Sequence, residues 1–84
     1  MKENIILVER EQDLWAICKW LKQNKIEYQT HYKPNKQPFT YQIKFFSVMV
    51  DMRIRYQLGS HLWTYGHVKK GGIKGVTLNG FKLT

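Results

Sequence analysis

The sequence has few of the residues that small domains use as covalent or metal staples. It contains one cysteine, Cys18, so an internal disulfide is impossible and a cysteine-based zinc site is not expected. No apolar run approaches the ~20 residues that span a membrane, and the run at 5–8 is too short for a secretory signal. We therefore expect one soluble, cytoplasmic domain over residues 1–84, stabilised by a hydrophobic core.

Acidic residues are scarce in the last two thirds of the chain. Residues 1–27 hold five basic and five acidic residues, whereas residues 28–84 hold nine Lys or Arg and one acid, Asp51. The whole net charge of +8 therefore comes from the second segment. Such a one-sided distribution attracts polyanions such as nucleic acid or an acidic protein face, although a basic protein can also be merely soluble.

Clustered carboxylates and closely spaced metal ligands are also missing. A hydrolytic nuclease needs several carboxylates to hold magnesium, and the acids at 9–13 are explained by the start of a helix. His61 and His67 would lie roughly 20 Å apart on an extended strand, too far to hold one ion. We expect no enzyme activity, no metal and no cofactor.

The first half of the chain predicts a strand, a helix and a second strand. Residues 4–9 hold a short branched apolar run, which is typical of a buried strand. Residues 10–25 predict a helix that ends near Asn24, a residue that tolerates left-handed backbone. The helix has an apolar stripe at i, i+3, i+4 and i+7, formed by Leu14, Ile17, Cys18 and Leu21. Residues 27–33 alternate like a half-exposed strand, and the prolines at 34–38 end it.

Residues 39–58 contain neither glycine nor proline, but their alternation changes phase. Apolar residues occupy odd positions up to Phe45 and even positions from Phe46 onward. Because a one-residue slip turns every side chain to the other face, we expect a bulge near Phe46 or a reversal between two strands there. The strand interpretation places Arg53 and Arg55 on one outward face. A helix over 47–58 is the rival prediction.

The last part predicts antiparallel strands. Gly59-Ser60 reads as a turn, 61–68 as a strand, 69–72 as a turn and 73–78 as another strand. Asn79-Gly80 is a strong two-residue hairpin signal before a short strand at 81–83. The predicted fold is α+β: β-α-β followed by antiparallel strands, with one helix packed on one face of a sheet. The alternative is a small curled β-barrel with one helix.

A row of rings precedes a basic, glycine-containing turn. On a strand His61, Trp63, Tyr65 and His67 would point the same way, either to stack on unpaired bases or to enter the core. Residues 69–75 bring three lysines and three glycines together, so backbone N–H groups and ammonium groups could approach a phosphate.

Together these patterns predict a small non-enzymatic protein that binds DNA or RNA with a basic, aromatic sheet face and basic loops. Lysine and arginine would neutralise phosphates, and rings would stack on bases. The predicted binding residues are Lys33, Lys36, Arg53, Arg55, Trp63, Tyr65, Lys69, Lys70 and Lys74.

The alternative function is a protein-interaction module, such as an inhibitor or regulator that docks on an acidic partner surface. Aromatic residues and arginine suit protein interfaces equally well. A homodimer through a sheet edge also stays open, because an unpaired edge strand can pair with its copy. We expect no membrane partner.

Overall fold

The computed structural model describes residues 1–35, 37–64 and 73–83. Its elements are β1 (Lys2–Val8), α1 (Glu11–Gln23), β2 (Tyr28–Tyr32), β3 (Tyr41–Ser47), α2 (Asp51–Thr64), β4 (Val76–Leu78) and β5 (Phe81–Lys82). The five strands form one sheet in the order β2-β3-β1-β4-β5, and all neighbouring strands are antiparallel. The first six elements follow the order of a split β-α-β, ferredoxin-like arrangement.

The first helix forms where the apolar stripe predicts it. All four stripe residues are buried, and Trp20 joins them in the core, whereas Trp15 is 60% exposed. At the end of the helix, the side-chain amide of Asn24 donates a hydrogen bond to the Trp20 carbonyl at 2.8 Å. The left-handed residue is Lys25, with φ 56°, so the prediction that Asn24 takes that backbone conformation was wrong.

The core lies between the helices and one face of the sheet. Alternate residues of the central strands are buried, among them Ile6 and Val8 in β1 and Ile43 and Phe45 in β3. Leu78 of β4 pairs with Ile6 and belongs to the same cluster. This period of two is what a sheet with one packed face requires, because successive side chains point to opposite sides.

The segment after β3 forms a helix from Asp51, so the strand interpretations of 51–58 and 61–64 were wrong and the rival helix over 47–58 was right from residue 51 onward. Ile54, Leu58 and Leu62 recur every four residues, and all three are buried. A strand would instead have buried Met52 and Tyr56, which are each 79% exposed. The apolar stripe of this helix packs on the same sheet face as α1. This packing overrides the local preference for a strand that the alternating apolar residues indicate. The predicted turn at 59–60 lies inside this helix.

The second helix is tied to the first by a buried histidine. His61 is 7% exposed, and its Nε2 lies 2.9 Å from the Ala16 carbonyl oxygen. Because a carbonyl can accept but not donate, the imidazole N–H is the donor in this contact. His61 is therefore a structural residue between α2 and α1.

The fold class α+β is confirmed, with two helices rather than the expected one. The sheet is open, so the barrel alternative was wrong: β2 and β5 are its two edges in the described part of the chain. The Asn79-Gly80 hairpin is confirmed. Both residues have positive φ, 51° and 88°, as a two-residue turn of this kind requires. The predicted turn at 69–72 and strand residues 65–68 lie outside the described residues.

A polar network fixes the start of the sheet to the last hairpin. The backbone N–H of Ile5 donates to Asn79 Oδ1 at 2.8 Å, and Asn79 Nδ2 donates to Asn4 Oδ1 at 3.0 Å. The same amide lies 3.4 Å from Asp51 Oδ1, and Asp51 forms an ion pair with Lys2 at 2.9 Å. The hydrogen bond from Lys2 holds the pKa of Asp51 below its usual value. Asn79 therefore joins β1, α2 and the hairpin.

We expect Asn79→Ala to lower the free energy of unfolding by about 2–4 kcal/mol. The substitution removes the acceptor of the Ile5 N–H and the donor to Asn4 Oδ1, whereas Asn4 Nδ2 keeps its hydrogen bond to the Lys2 carbonyl. It also forces a left-handed alanine. Asn79→Gly accepts the backbone conformation and loses the amide alone, so its loss should be smaller. Urea unfolding of both variants measures the two contributions, and an alanine variant within about 0.5 kcal/mol of wild type would contradict the network's importance.

Candidate nucleic-acid interface

Both helices pack on the same side of the sheet, so the other side is uncovered in the described part of the chain. We call this side the uncovered face. Its side chains alternate with those of the core and are exposed or half-buried. They belong to Glu3, Ile5, Leu7, Gln29, His31, Gln42, Lys44, Phe46, Thr77 and Lys82.

The strand register arranges these side chains in rows across the sheet. One row runs from Gln29 to Lys44 to Ile5. The next row begins with His31 beside Gln42 and continues through Leu7, Thr77 and Lys82. Facing side chains in an antiparallel pair lie roughly 5 Å apart at Cβ, so each row is a continuous strip. The rows place hydrogen-bonding groups at the β2 edge, apolar groups in the centre and a lysine at the β5 edge.

This side carries both basic and acidic residues, and Glu27 directly precedes β2. Lys44 and Lys82 lie on this side, and neither forms an ion pair within the described residues. The ion pairs found there, Lys2–Asp51 and Arg10–Asp13, lie at other places. Strands β2 and β3 contain no acidic residue, and the carboxylates of β1 and its end are those of Glu3 and Glu9.

Two of the predicted binding residues lie at one end of the sheet. Lys33 follows β2, and its N–H donates to the Thr40 carbonyl, which extends the β2–β3 pairing. Lys74 is exposed beside Gly75, whose carbonyl accepts the N–H of Glu9 at the end of β1. Gly75 has φ 72° and the Glu9 side chain lies where a Cβ would stand, so glycine is required there.

Two other predicted residues lie at the start of α2, away from that end. Arg53 is exposed and Arg55 half-buried near the start of the helix, close to Asp51 and therefore to Lys2. Lys2 and Val8 are the two ends of β1, roughly 20 Å apart. The arginines are therefore on the helix side at the opposite end from Lys33. The described residues do not bring the predicted set onto one continuous surface, and Lys36, Tyr65, Lys69 and Lys70 lie outside them.

The row of rings does not lie on a strand. Residues two apart on a helix point in different directions, and accordingly His61 is buried while Trp63 is 54% exposed. Trp63 belongs to the solvent side of α2 and not to a sheet face. Tyr65 and His67 lie outside the described residues.

The uncovered face presents residues that the predicted list lacked, above all Lys44, Lys82 and Phe46. The signal for Phe46 was in the sequence, because the phase change at Phe45–Phe46 marks the place. Phe45 is 1% exposed in the core, so Phe46 must point to the other side, where it is 50% exposed. It stands opposite Glu3 and on the same face as Lys44. Both alternatives predicted there, a bulge or a reversal between two strands, were wrong, because β3 pairs with β1 in unbroken register through Phe46.

Groups for covalent or metal chemistry do not gather on this face. Cys18 is 2% exposed in the core, and burial raises the pKa of its thiol, against a smaller opposing effect of a hydrogen bond with Tyr28. No three side chains of the metal-ligating types come together among the described residues. In the same ranges, neither helix is long and apolar enough to cross a membrane. The described side chains of this face offer ammonium, amide, imidazole, aromatic and carboxylate groups.

We expect the Cys18 thiol to react with a disulfide reagent roughly 100-fold or more slowly in the folded protein than in urea, because reaction requires local opening.

The raised pKa of Cys18 also predicts a pH dependence of stability, because at alkaline pH the thiol stays protonated in the folded protein while it ionises in the unfolded chain. Stability should therefore fall as pH rises from about 8.5 upward. Unfolding curves of wild type and Cys18→Ala across this range test the sign, and an equal slope in both would contradict it.

Comparison of the chain with protein-family models, curated proteins and solved structures found no match, so the inferences below depend on the residues and geometry of this chain.

Proposed function

We propose that the protein binds nucleic acid along the uncovered face of its sheet. The observation that supports this best is the pair of rows on β2 and β3, where two glutamines, a histidine and a lysine stand together with no carboxylate on either strand. A polyanion needs both charge neutralisation and hydrogen-bonding groups along its length, and an open antiparallel sheet offers them in register.

The charge of the chain supports the same proposal. Lys33, Lys44, Lys74 and Lys82 lie on or at the margin of the uncovered face, opposed by Glu3, Glu9 and Glu27. A single strand that contacts four phosphates should lose affinity with a salt slope of about −3. The affinity for nucleic acid should therefore be measurable at low salt and weak at high salt.

The amide and imidazole groups add directional contacts. Gln29 and Gln42 each offer two N–H donors and one carbonyl acceptor, and His31 lies beside Gln42 in the register. Amide side chains can hydrogen-bond base edges or phosphate oxygens, so this strip suits either part of a strand. Ile5 and Leu7 next to it give an apolar floor of the kind that lies under sugars or base faces.

The lysines of the face can be tested with a charge-matched control. We expect Lys44→Gln/Lys82→Gln to weaken binding of a fluorescent oligonucleotide at low salt and to reduce the magnitude of the salt slope by about 1.4. The control, Lys19→Gln/Lys22→Gln on the exposed side of α1, removes the same charge from the helix side. Its slope should stay close to that of wild type.

Fluorescence anisotropy at several salt concentrations measures both slopes, and circular dichroism confirms that the variants fold. Equal losses in the two double variants would show that net charge alone acts, without a preferred face. Absence of binding by the wild-type protein at low salt would contradict the proposed function itself.

A second candidate function, docking on an acidic protein surface, is favoured by the outer side of α2. Met52, Tyr56 and Trp63 are 79%, 79% and 54% exposed. Their spacing of four and seven residues places them on one side of the helix, with Arg53 adjacent. Methionine, aromatic residues and arginine are the types enriched at protein interfaces.

If α2 is the docking side, Tyr56→Ser should lose a partner that stays bound to wild type after nuclease treatment of the lysate. Lys44→Gln/Lys82→Gln should keep that partner, because those residues lie on the other side of the sheet. Affinity purification with quantitative mass spectrometry compares the two variants. Loss of the same partner in both, or in neither, would contradict docking through α2.

A further inference from the structure

Phe46 stands between two grooves at one corner of the uncovered face. The first groove, about 490 Å³, is lined by Ile26, Glu27, Tyr28, Gln29, Lys44 and Phe46. The second, about 470 Å³, is lined by Met1, Lys25, Ile26, Glu27, Phe46, Ser47 and Val48. Both volumes are in the range of small-molecule sites. Phe46 therefore lines both cavities while half of its surface is exposed.

We propose that the grooves on either side of Phe46 each take one unpaired nucleobase, stacked on or against the ring. The inference rests on the proposed function and specifies its ligand as single-stranded nucleic acid. Bases inside a duplex are stacked on each other and cannot reach a ring, whereas splayed bases of a single strand can.

The ring is not needed by the core. Phe45, its neighbour, fills the core at 1% exposure, and the buried cluster does not include Phe46. A half-exposed phenylalanine at the boundary of a polar face has a hydration cost that folding does not remove. Stacking with a base removes this surface from water and explains an aromatic residue at this register position.

Each groove also has its own lysine. Lys44 lines the first groove and Lys25 the second, so a phosphate beside either base would meet an ammonium group. Gln29 in the first groove can both donate to and accept from a base edge. Ser47 and the apolar Ile26 and Val48 complete the second groove.

Glu27 lines both grooves and determines which bases suit them. Its carboxylate repels phosphate, but it accepts hydrogen bonds from exocyclic amino groups, as carboxylates do with cytosine N4. Thymine and uracil have no exocyclic amino group and offer only the N3–H of the ring as a donor. The grooves should therefore prefer cytosine and adenine over thymine.

The experiment compares Phe46→Ala with Phe81→Ala, using 12-mer oligo(dC), oligo(dT) and a duplex of equal length. Phe81 is the matched control, since it is 63% exposed and lies in β5 at the opposite edge of the sheet. Neither substitution opens the core. Loss of stacking should weaken single-strand binding roughly 5- to 100-fold in Phe46→Ala and leave its salt slope unchanged, while Phe81→Ala binds like wild type.

Two results overturn the inference. Equal affinity of Phe46→Ala and Phe81→Ala for single strands would contradict base binding in the grooves, but it would not contradict nucleic-acid binding through the lysines. A duplex bound as tightly as the single strands would do the same. Glu27→Gln should bring oligo(dT) binding up toward that of oligo(dC), and an unchanged ratio would overturn the assigned base preference. No binding by wild type would instead remove the function on which the inference rests.

Discussion

The side-chain amide of Asn79 joins parts of the chain that are 74 and 28 residues away in sequence, at Ile5 and Asp51. It satisfies a backbone donor of β1 and reaches the first turn of α2, while its own backbone takes the left-handed conformation of the hairpin. A half-buried amide with three partners has few alternative arrangements. It therefore helps to fix the register between β1 and β4, and with it the rows of the uncovered face.

The two layers divide the chemistry of the molecule. On the helix side, apolar residues pack into the core, including Trp20, Phe45 and the stripes of both helices. The sheet side keeps lysine, glutamine and histidine in register, and no described helix covers it. α2 combines both tasks, because Ile54 and Leu58 face inward while Met52 and Tyr56 face outward. The proposed nucleic-acid and protein surfaces thus occupy opposite sides of one small domain.

The sequence predicted the parts of the fold in which local and tertiary preferences agree. The stripe from Leu14 to Leu21 has one periodicity and one interpretation, and Asn79-Gly80 fits few other backbone shapes. Residues 48–58 carry two periods at once, because Met52 and Tyr56 mimic a strand face while Ile54 and Leu58 form a helical one. Only the packing against the sheet decides between them, and that information is not local.

The site was less predictable than the fold, because the residues that share a face of the sheet are determined by the register in which the strands pair. Lys44 becomes a surface residue of interest once its neighbours across the strands are known, and Gln29 lies 15 residues before it in sequence. Arg53 and Trp63 were predicted on two different strands of the sheet, whereas both lie on the helix α2. Positive charge after residue 27 could be counted from the sequence, but its distribution between two sides could not.

Ile5 and Leu7 have a thermodynamic consequence for whatever covers the sheet. These half-buried aliphatic side chains lie between the amide strip and Lys82 and remain partly hydrated in the free protein. A ligand that lies across them removes this apolar surface from water and binds with a negative heat-capacity change. A ligand held at the margin by lysines alone leaves the hydration in place. The temperature dependence of the binding enthalpy therefore distinguishes a nucleic-acid strand that lies across the sheet from one that contacts only the lysines at its margin.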